Sequence, residues 1–335
     1  MAEEVRSQRR HEEAKMECVL EQTLIFILAL ILDLTVGDPP EGVDRFYPIV
    51  WISRLMSFFD RRTKRGNPAK ERVLGILYTV LILVLFSLPC ASLTLIRNEF
   101  ARILISAVVL KMTFTVSGLE RFATLVLNAR SVEEKRRAVQ KIVSRRVEGL
   151  DESHLNSAAI ESVAENLTDS VVAPFFYFSI LSAFGLGVAG AMAYRVVNTL
   201  DAVVGYKSEK YRHFGWFAAR ADDFLNFIPE RIAAYLILLV GKARVVAAER
   251  RRKLAAKGQN ERGEQAPLTI SAMSSVLCVR LEKVGHYTVG EGFSLPLTTH
   301  ISDAVRVVKI ASLVSAALTL AMLTLVAIVA HVLSM

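Results

Sequence analysis

The sequence predicts an all-α, polytopic integral membrane protein with a re-entrant or interfacial helical hairpin and a cytoplasm-facing polar helical core. Hydrophobic residues make up 53% of the 335 residues, and the mean hydropathy is +0.38. Several uncharged runs approach or exceed the roughly 20 residues that cross a bilayer. Glycines interrupt one such run, and stretches rich in acids, arginines and carboxamides flank it. These observations favour chemistry at a membrane.

The chain begins with a polar stretch. Residues 1–18 alternate acids and bases without apolar periodicity, which predicts a disordered or loosely helical extension and is unlike a signal peptide. We expect residues 19–335 to form a single membrane-embedded domain and the physiological start to be Met16. Residues 23–36 are then a short hydrophobic segment, which the sequence GDPP at 37–40 interrupts.

An interfacial helix and two spans are predicted next. Residues 47–60 have the pattern of an amphipathic helix at the membrane surface, and Trp51 lies within it. Residues 73–96 form the clearest span, and residues 103–119 are predicted to return through the membrane. Lys111 in the returning helix either snorkels to the surface or is functional.

The second half contains a shorter apolar run and a final span. Pro229 is typical of a first helical turn, and residues 232–240 beyond it are too short to span unless basic flanking residues snorkel. Residues 249–267 are charged and predict a polar loop. Residues 310–333 predict the final span.

Lysines and arginines indicate the topology. Basic residues concentrate at 61–70 and 120–148, and such loops usually stay cytoplasmic. The polar segments 120–170 and 195–231 are therefore expected on the same, cytoplasmic, face of a multi-pass cell-membrane protein.

An acidic helix face begins the polar core. Asp151 or Ser153 suits the N-cap of a helix on which Glu161, Glu165 and Asp169 recur at i, i+4 and i+8. Like charges on one face repel, so a cation is expected to offset them. The face is either solvated or salt-bridged, or it is a Mg²⁺ site, since Mg²⁺ takes carboxylate oxygens and bridges to phosphates.

The glycine-broken run predicts the hairpin. Residues 171–194 carry no charge, but Gly185, Gly187 and Gly190 are turn formers and poor interior helix residues. A turn near residues 184–187 would return the chain to the side that it left. The Glu161 face and the polar face that follows could then meet.

Two further helix faces combine base, carboxamide and acid, a set that binds phosphate or carboxylate, holds a metal or takes a proton. They are Arg195, Asn198 and Asp201 on one helix, and Arg220, Asp223 and Asn226, with Asp222 beside them, on the next. The structural alternative for each Arg and Asp pair is a bridge that secures one helix to another.

Charge and cysteine content argue against several classes of function. The net charge of +8 suits an anionic leaflet and anionic substrates, and without a recognition motif it is no sign of nucleic-acid binding. Cys18, Cys90 and Cys278 have the spacing of neither a zinc site nor a disulfide framework. Gly241-Lys242 lacks the rest of a Walker A motif, so any ATP would be bound by another arrangement.

Three stretches, IESVAENLTDSVVAPFF, AYRVVNTLDAVVGY and FAARADDFLNFIPERI, together resemble the CobD/CbiB family of cobalamin-biosynthesis membrane proteins. VRLEKVGHY matches the C-terminal region of the family, and Asp33, Gly37, Asp38 and Pro39 match its opening motif. The structural alternative for that motif is that an Asp caps a helix end. The resemblance implies an adenosylcobinamide-phosphate synthase, which forms an ATP-dependent amide bond between adenosylcobyric acid and (R)-1-amino-2-propanol phosphate.

The resemblance also implies roles for the polar core, with ATP and Mg²⁺ as cofactors. The catalytic residues would be Glu161, Glu165, Asp201 and Asp223. The metal ligands would be Glu165, Asp169, Asp201 and Asp222. The residues that bind phosphates or the corrin carboxylate would be Arg195, Asn198, Lys207, Arg220, Asn226 and Asn166. The expected partners are the corrinoid and aminopropanol phosphate substrates, membrane lipid and other cobalamin-pathway enzymes.

Some residues depart from the family pattern, so a non-catalytic membrane relative that binds a ligand or partner is the alternative. Tyr47 stands where His is common, Arg146 where Asp is common, and Ser275 replaces a glycine. Gln265-Ala266-Pro267 stands where Asn-Ala-Gly is common.

Overall fold

The computed structural model describes residues 2–38, 44–143, 145–206, 208–242 and 266–334. Helices dominate it, as predicted. The chain separates into two compact units, each built from stretches distant in sequence. Unit 1 comprises Met1–Thr115, Ala173–Asn226 and Ala316–Met335, and unit 2 comprises Val116–Val172 and Phe227–Ser315. The single domain at 19–335 stays a prediction.

The helices are α1 (Ala2–Thr35), α2 (Pro48–Arg62), α3 (Pro68–Ser92), α4 (Glu99–Lys111), α5 (Ser117–Leu127), α6 (Val132–Gln140), α7 (Glu152–Leu167), α8 (Ala173–Ser182), α9 (Gly187–Val204), α10 (Trp216–Lys242), α11 (Leu268–Leu277) and α12 (Thr298–Ser334). Short 3₁₀ turns occupy Asp44–Phe46 and Leu93–Leu95, and Thr168–Val172 is a π-helical turn. Two strands, β1 (Leu281–Lys283) and β2 (Tyr287–Val289), lie between α11 and α12.

Four described helices are long and apolar enough to cross a membrane. They cover Lys15–Thr35, Pro68–Leu95, Trp216–Gly241 and Thr298–Val332. The predicted spans at 73–96 and 310–333 are confirmed as span candidates. Exposed leucines and valines along them, such as Val73, Leu77 and Leu325, are what lipid-facing helices present.

The first span is longer than predicted. The apolar segment expected at 23–36 continues N-terminally as part of α1, which also includes the 1–18 extension. Glu, Lys and Leu are good helix formers, so the polar residues do not interrupt the helix. Glu21, within the span, forms a bidentate ion pair with Arg102, at 2.6 Å and 2.7 Å, which offsets its charge.

The prediction that Pro229 opens a short helix is wrong, because α10 runs through it from Trp216. Proline has no N–H, so the carbonyl four residues earlier, that of Leu225, loses its helical donor. The hydroxyl of Tyr177 donates to this carbonyl at 2.8 Å. A side chain from α8 thus supplies the missing bond, which allows one long span.

The returning span predicted at 103–119 is also wrong. α4 ends at Lys111, residues 112–116 are irregular, and α5 begins at Ser117. Thr113, Thr115 and Val116 are β-branched and disfavour helix. Lys111 does not snorkel either: it is only 6% exposed and forms ion pairs with Asp33 at 2.9 Å and Asp38 at 2.6 Å.

The helical hairpin is confirmed. α8 and α9 pack against each other and are joined by a turn in which Gly185 has φ of +71°, a left-handed conformation that favours glycine. A Cβ at Gly190 would lie 2.7 Å from the carbonyl oxygen of Tyr177. Glycine is therefore required at residue 190 for the close approach of the two helices. In the sequence, the glycines appeared only as interruptions of the apolar run.

The amphipathic helix predicted at 47–60 is α2. Ile52, Met56 and Asp60 are buried along one side, while Trp51 and Phe58 are exposed on the other. The predicted amphipathic character is therefore confirmed, and the structure shows which residues form each face.

Unit 2 contains the departure from an all-helical chain. β1 and β2 pair antiparallel, with Lys283 opposite Tyr287, and Gly285 turns the chain between them at φ of +77°. β1 packs against α7, which is buried on almost every side. The polar loop predicted at 249–267 lies outside the described residues except for Ala266 and Pro267.

Candidate functional site

Glu161 is fixed by donors from three parts of unit 2. Asp151 caps α7, accepting from the backbone N–H of His154 at 2.9 Å, so the helix begins where predicted. One turn before Glu161, the Ser157 hydroxyl donates to its carboxylate at 2.8 Å. Arg145 contacts the other oxygen at 3.1 Å. The phenol of Tyr287, on β2, also donates to that oxygen, at 3.0 Å.

These contacts explain how the short strands matter to the site. Burial and the charges of Glu161 and Glu165 raise the pKa of Tyr287, so its phenol keeps the proton that it donates. Ser157 also accepts from the backbone N–H of Glu282, on β1, at 2.8 Å. The strand pair therefore holds Glu161 in place, although Arg145, Ser157 and Tyr287 were not predicted as site residues.

Glu165 lies one turn further along α7 in a different environment. The residue is half-buried, and protein atoms crowd its carboxyl on most sides. No described residue forms an ion pair or a side-chain hydrogen bond with it. Burial first, and then the charges of Asp169 and Glu161, raise its pKa to about 7, against the opposing effect of Lys283 and Arg145. Glu165 can therefore exchange a proton near neutral pH.

The helix changes geometry just beyond Glu165. Asp169 lies in the π-helical turn Thr168–Val172, a type of distortion that often occurs at functional sites. The hydroxyl of Thr168 is buried, and among the described residues it has no hydrogen-bond partner. Asn166 is held locally: it donates to the Ser162 carbonyl at 2.8 Å. Glu161, Glu165 and Asp169 lie near enough for the charges of the first and last to act on Glu165, and we call these three residues the Glu165 cluster.

Unit 1 contains a second polar group, built between α9 and α10. Arg195 donates to Asn198 at 3.3 Å, and Asn198 donates to Asp222 at 3.3 Å. Asn226 donates to the other Asp222 oxygen at 2.9 Å and accepts from the Tyr194 hydroxyl at 2.8 Å. The two predicted polar faces thus meet through Asp222, which accepts from both carboxamides, and one of these, Asn198, contacts Arg195.

Asp201 lies near the C-terminal end of α9, and Arg220 and Asp223 lie near the N-terminal end of α10. Arg220 and Asp223 are 68% and 69% exposed and pair with each other at 3.4 Å. Asp201 folds back at the end of α9, where its carboxylate occupies the space of any Cβ at residue 205, so Gly205 is required there. Lys207 lies outside the described residues.

The opening motif forms a cluster of its own in unit 1. Lys111 binds both Asp33 and Asp38, Asp38 also accepts from the Thr115 hydroxyl at 2.7 Å, and Tyr47 hydrogen-bonds with Lys111. We call these five residues the Lys111 cluster. The motif aspartates are therefore more than a helix cap, and Tyr47 has a defined place among them.

The other departures from the family pattern have different surroundings. Arg146 is exposed, Ser275 is buried and donates to the Ser271 carbonyl at 2.9 Å, and Pro267 stands at the N-terminus of α11. Gln265 lies outside the described residues.

The donor chemistry of the Glu165 cluster fits Mg²⁺. Among the described residues, no three His, Cys, Asp or Glu side chains converge as an all-protein metal cage would require. Mg²⁺ is more often held by one or two carboxylates together with substrate phosphates. Glu165 offers such oxygens and Asp169 lies near it on the same helix face, while Glu161 is occupied by Arg145, Ser157 and Tyr287.

Comparison with known proteins gives one consistent result. A family described as CobD/Cbib protein matches residues 26–316. A probable cobalamin biosynthesis protein CobD of Thermococcus kodakarensis is 42% identical over 262 residues, covering 78% of this chain and 83% of the relative. The probable cobalamin biosynthesis protein CobD of Pyrococcus furiosus is 40% identical over 260 residues, covering 78% of this chain and 85% of the relative. The cobalamin biosynthesis protein CobD of Dehalococcoides mccartyi is 38% identical over 279 residues, covering 81% and 88%. No solved structure matches.

Proposed function

The chain belongs to the CobD/CbiB family of cobalamin-biosynthesis proteins, and from this membership we propose that it is an adenosylcobinamide-phosphate synthase. On this proposal it joins adenosylcobyric acid to (R)-1-amino-2-propanol phosphate with the consumption of ATP. The observation that carries the proposal is the Glu165 cluster, three neighbouring carboxylates of which Glu165 can exchange a proton near neutral pH. The chain that contains this cluster matches the family over most of its length.

The proposed reaction has two steps. A carboxylate oxygen of adenosylcobyric acid attacks the γ-phosphorus of ATP, an O–P bond forms, and ADP leaves. The amine nitrogen of aminopropanol phosphate then attacks the acyl carbon, a C–N bond forms, and the C–O bond to phosphate breaks. The nitrogen loses a proton, and inorganic phosphate leaves.

Glu165 is proposed as the acceptor of the amine proton. A general base is most effective when its pKa lies near the working pH, and the pKa of Glu165 is about 7. Glu161 has a different role in this proposal, because its oxygens already accept from Arg145, Ser157 and Tyr287. It keeps α7 in place against β1 and β2 and adds to the negative charge around Glu165.

The anionic groups of the substrates require cations. Arg195 is held by Asn198, which Asp222 holds in turn, so its guanidinium is oriented in advance. A guanidinium binds phosphate or carboxylate oxygens bidentately. Asp169 would hold Mg²⁺, which supplies charge neutralisation for phosphate groups when bound, and Glu165 as a metal ligand stays a prediction because a metal-bound carboxylate is a weaker base. Two further points stay predictions. One is that the Glu165 cluster and Arg195 act on the same substrate, and the other is that metal or catalytic roles belong to Asp201, Asp222 and Asp223.

Complementation gives the first test. A strain that lacks the synthase and depends on cobalamin should grow when it carries this chain, because the chain restores amide formation. The purified chain in detergent should then convert adenosylcobyric acid, aminopropanol phosphate and ATP to product, with one ADP per amide, measured by mass spectrometry.

Two controls define the result. An immunoblot of the membrane fraction shows that the chain is present, and an assay without ATP shows that the reaction depends on it. A chain that is present in the membrane, supports no growth and forms no product would contradict the proposal. The chain would then be a non-catalytic relative that binds a ligand.

A further inference from the structure

We propose that the exposed face of α2 binds anionic lipid headgroups at the membrane surface. This face, which we call the α2 stripe, consists of Trp51, Arg54, Phe58, Arg61 and Arg62. The proposal does not depend on the reaction catalysed.

The stripe is a continuous surface. Its residues recur every three or four positions and so lie along one side of the helix. Trp51 is 52% exposed and Phe58 is 38% exposed, whereas Ile52 and Met56 on the opposite side are fully buried. Burial of Ile52 and Met56 fixes which way α2 faces, so large aromatic side chains remain uncovered among the described residues of unit 1.

Arginines accompany the aromatic rings. The guanidinium carbon of Arg62 lies 4.2 Å from the ring centre of Phe58, and that of Arg54 lies 5.8 Å from the ring centre of Trp51. Stacking on a ring keeps a guanidinium beside apolar surface and leaves its N–H groups free to bind phosphate. Each pair therefore offers an apolar body for acyl chains and a cation for a headgroup.

α2 contributes no acid to the stripe. The single acid of α2, Asp60, is on the buried side, where Arg65 and Lys210 form ion pairs with it. Exposed basic residues continue beyond the helix, at Lys64 and Lys70. Basic residues near a membrane are attracted to anionic lipids, so charge favours an acidic headgroup over a zwitterionic one.

The chain keeps the stripe near the bilayer. α2 lies between two span candidates, Lys15–Thr35 and Pro68–Leu95. Six peptide steps join Arg62 to Pro68, a reach of at most roughly 21 Å. The C-terminal end of α2 is therefore tethered close to the end of a span candidate, and Trp at a membrane interface is typical of membrane proteins.

Tryptophan fluorescence tests the proposal. The chain has two tryptophans, so Trp216→Phe leaves Trp51 as the only one. This variant is reconstituted in phosphatidylcholine vesicles in which one fifth of the lipid is brominated, either as phosphatidylcholine or as phosphatidylglycerol. Because the arginines enrich acidic lipid around Trp51, brominated phosphatidylglycerol should quench at least about twofold more strongly.

Charge removal supplies the matched comparison. Adding Arg54→Gln, Arg61→Gln and Arg62→Gln should reduce quenching by brominated phosphatidylglycerol to that by brominated phosphatidylcholine. Removing three exposed charges elsewhere, with Arg121→Gln, Arg130→Gln and Arg137→Gln, should leave the preference intact. Equal quenching by both lipids in the starting variant would overturn the headgroup preference, and no quenching by either would overturn the membrane contact.

Discussion

The Lys111 cluster and the Glu165 cluster are both crowded groups of charged residues, yet they are built in opposite ways. In the Lys111 cluster, one cation lies between two carboxylates, and Tyr47 and Thr115 complete the hydrogen bonds. In the Glu165 cluster, three carboxylates share one helix face, and Arg145 pairs with Glu161 rather than with Glu165.

The pKa shifts follow from this difference. Burial lowers the pKa of Lys111, but hydrogen bonds to Asp38 and Asp33 outweigh it and the pKa is raised, so the lysine stays charged. Burial raises the pKa of Glu165, and its neighbours Asp169 and Glu161 raise it further. The first arrangement stabilises the charged form of its central residue. The second arrangement destabilises the charged form of Glu165, which is expected of a site that exchanges protons or binds a cation.

The largest effect is expected at Lys111. Lys111→Met should lower stability by roughly 3 to 5 kcal/mol, because it leaves Asp33, which has no exposed surface, buried without its cation. Thermal melting in detergent and the yield of folded protein measure this. Adding Asp33→Asn should recover part of the loss, since the buried charge is then removed too. A Lys111→Met variant as stable as the parent would show that the cluster is not a structural ion group.

Removing the central charge of the Glu165 cluster should raise the stability of the protein at pH 8, not lower it. Glu165→Gln removes a carboxylate whose folded pKa of about 7 lies above its ordinary value of 4.5. The folded state of the parent binds more protons than the unfolded state between these values. The contribution of this carboxyl to the stability of the parent is therefore largest below pH 4.5 and is lost as the pH rises through 7. The variant should lack this fall and be more stable at pH 8, by roughly 1 to 3 kcal/mol.

Melting in detergent from pH 5 to pH 8 measures this difference, and Glu148→Gln, at an exposed position, is the matched control. Under the proposed function, Glu165→Gln should also lose most amide formation, and the parent's rate should rise with pH through about 7. A variant less stable than the parent at pH 8 would show that the Glu165 carboxylate is structurally required, and the contrast between the clusters would fail.

The sequence predicted what depends on local pattern. Glycines at 185, 187 and 190 placed the hairpin, the amphipathic pattern of residues 47–60 predicted α2, and the i, i+4, i+8 spacing grouped Glu161, Glu165 and Asp169. The β1–β2 hairpin was missed although VRLEKVGHYTV carries a signal for it, with alternating apolar residues around a glycine.

Partners distant in sequence could not be predicted. Lys111 and Asp38 are 73 residues apart, and Tyr287 and Glu161 are 126 apart. Periodicity describes one helix at a time, so it cannot show which cation offsets which acid. Pro229 was misinterpreted for the same reason, because the Tyr177 hydroxyl that replaces its helical bond comes from another helix.

The smallest effect is expected at the exposed pair Arg220 and Asp223, which belongs to neither cluster. Two exposed charges at 3.4 Å contribute at most about 1 kcal/mol, because water screens them and ordering long side chains costs entropy. Arg220→Gln and Asp223→Asn should therefore melt within a degree or two of the parent. Activity then separates their two interpretations. If both variants retain full amide formation, the pair is only a surface bridge. If Arg220→Gln raises KM for aminopropanol phosphate while stability is unchanged, Arg220 contacts substrate, as the sequence predicted.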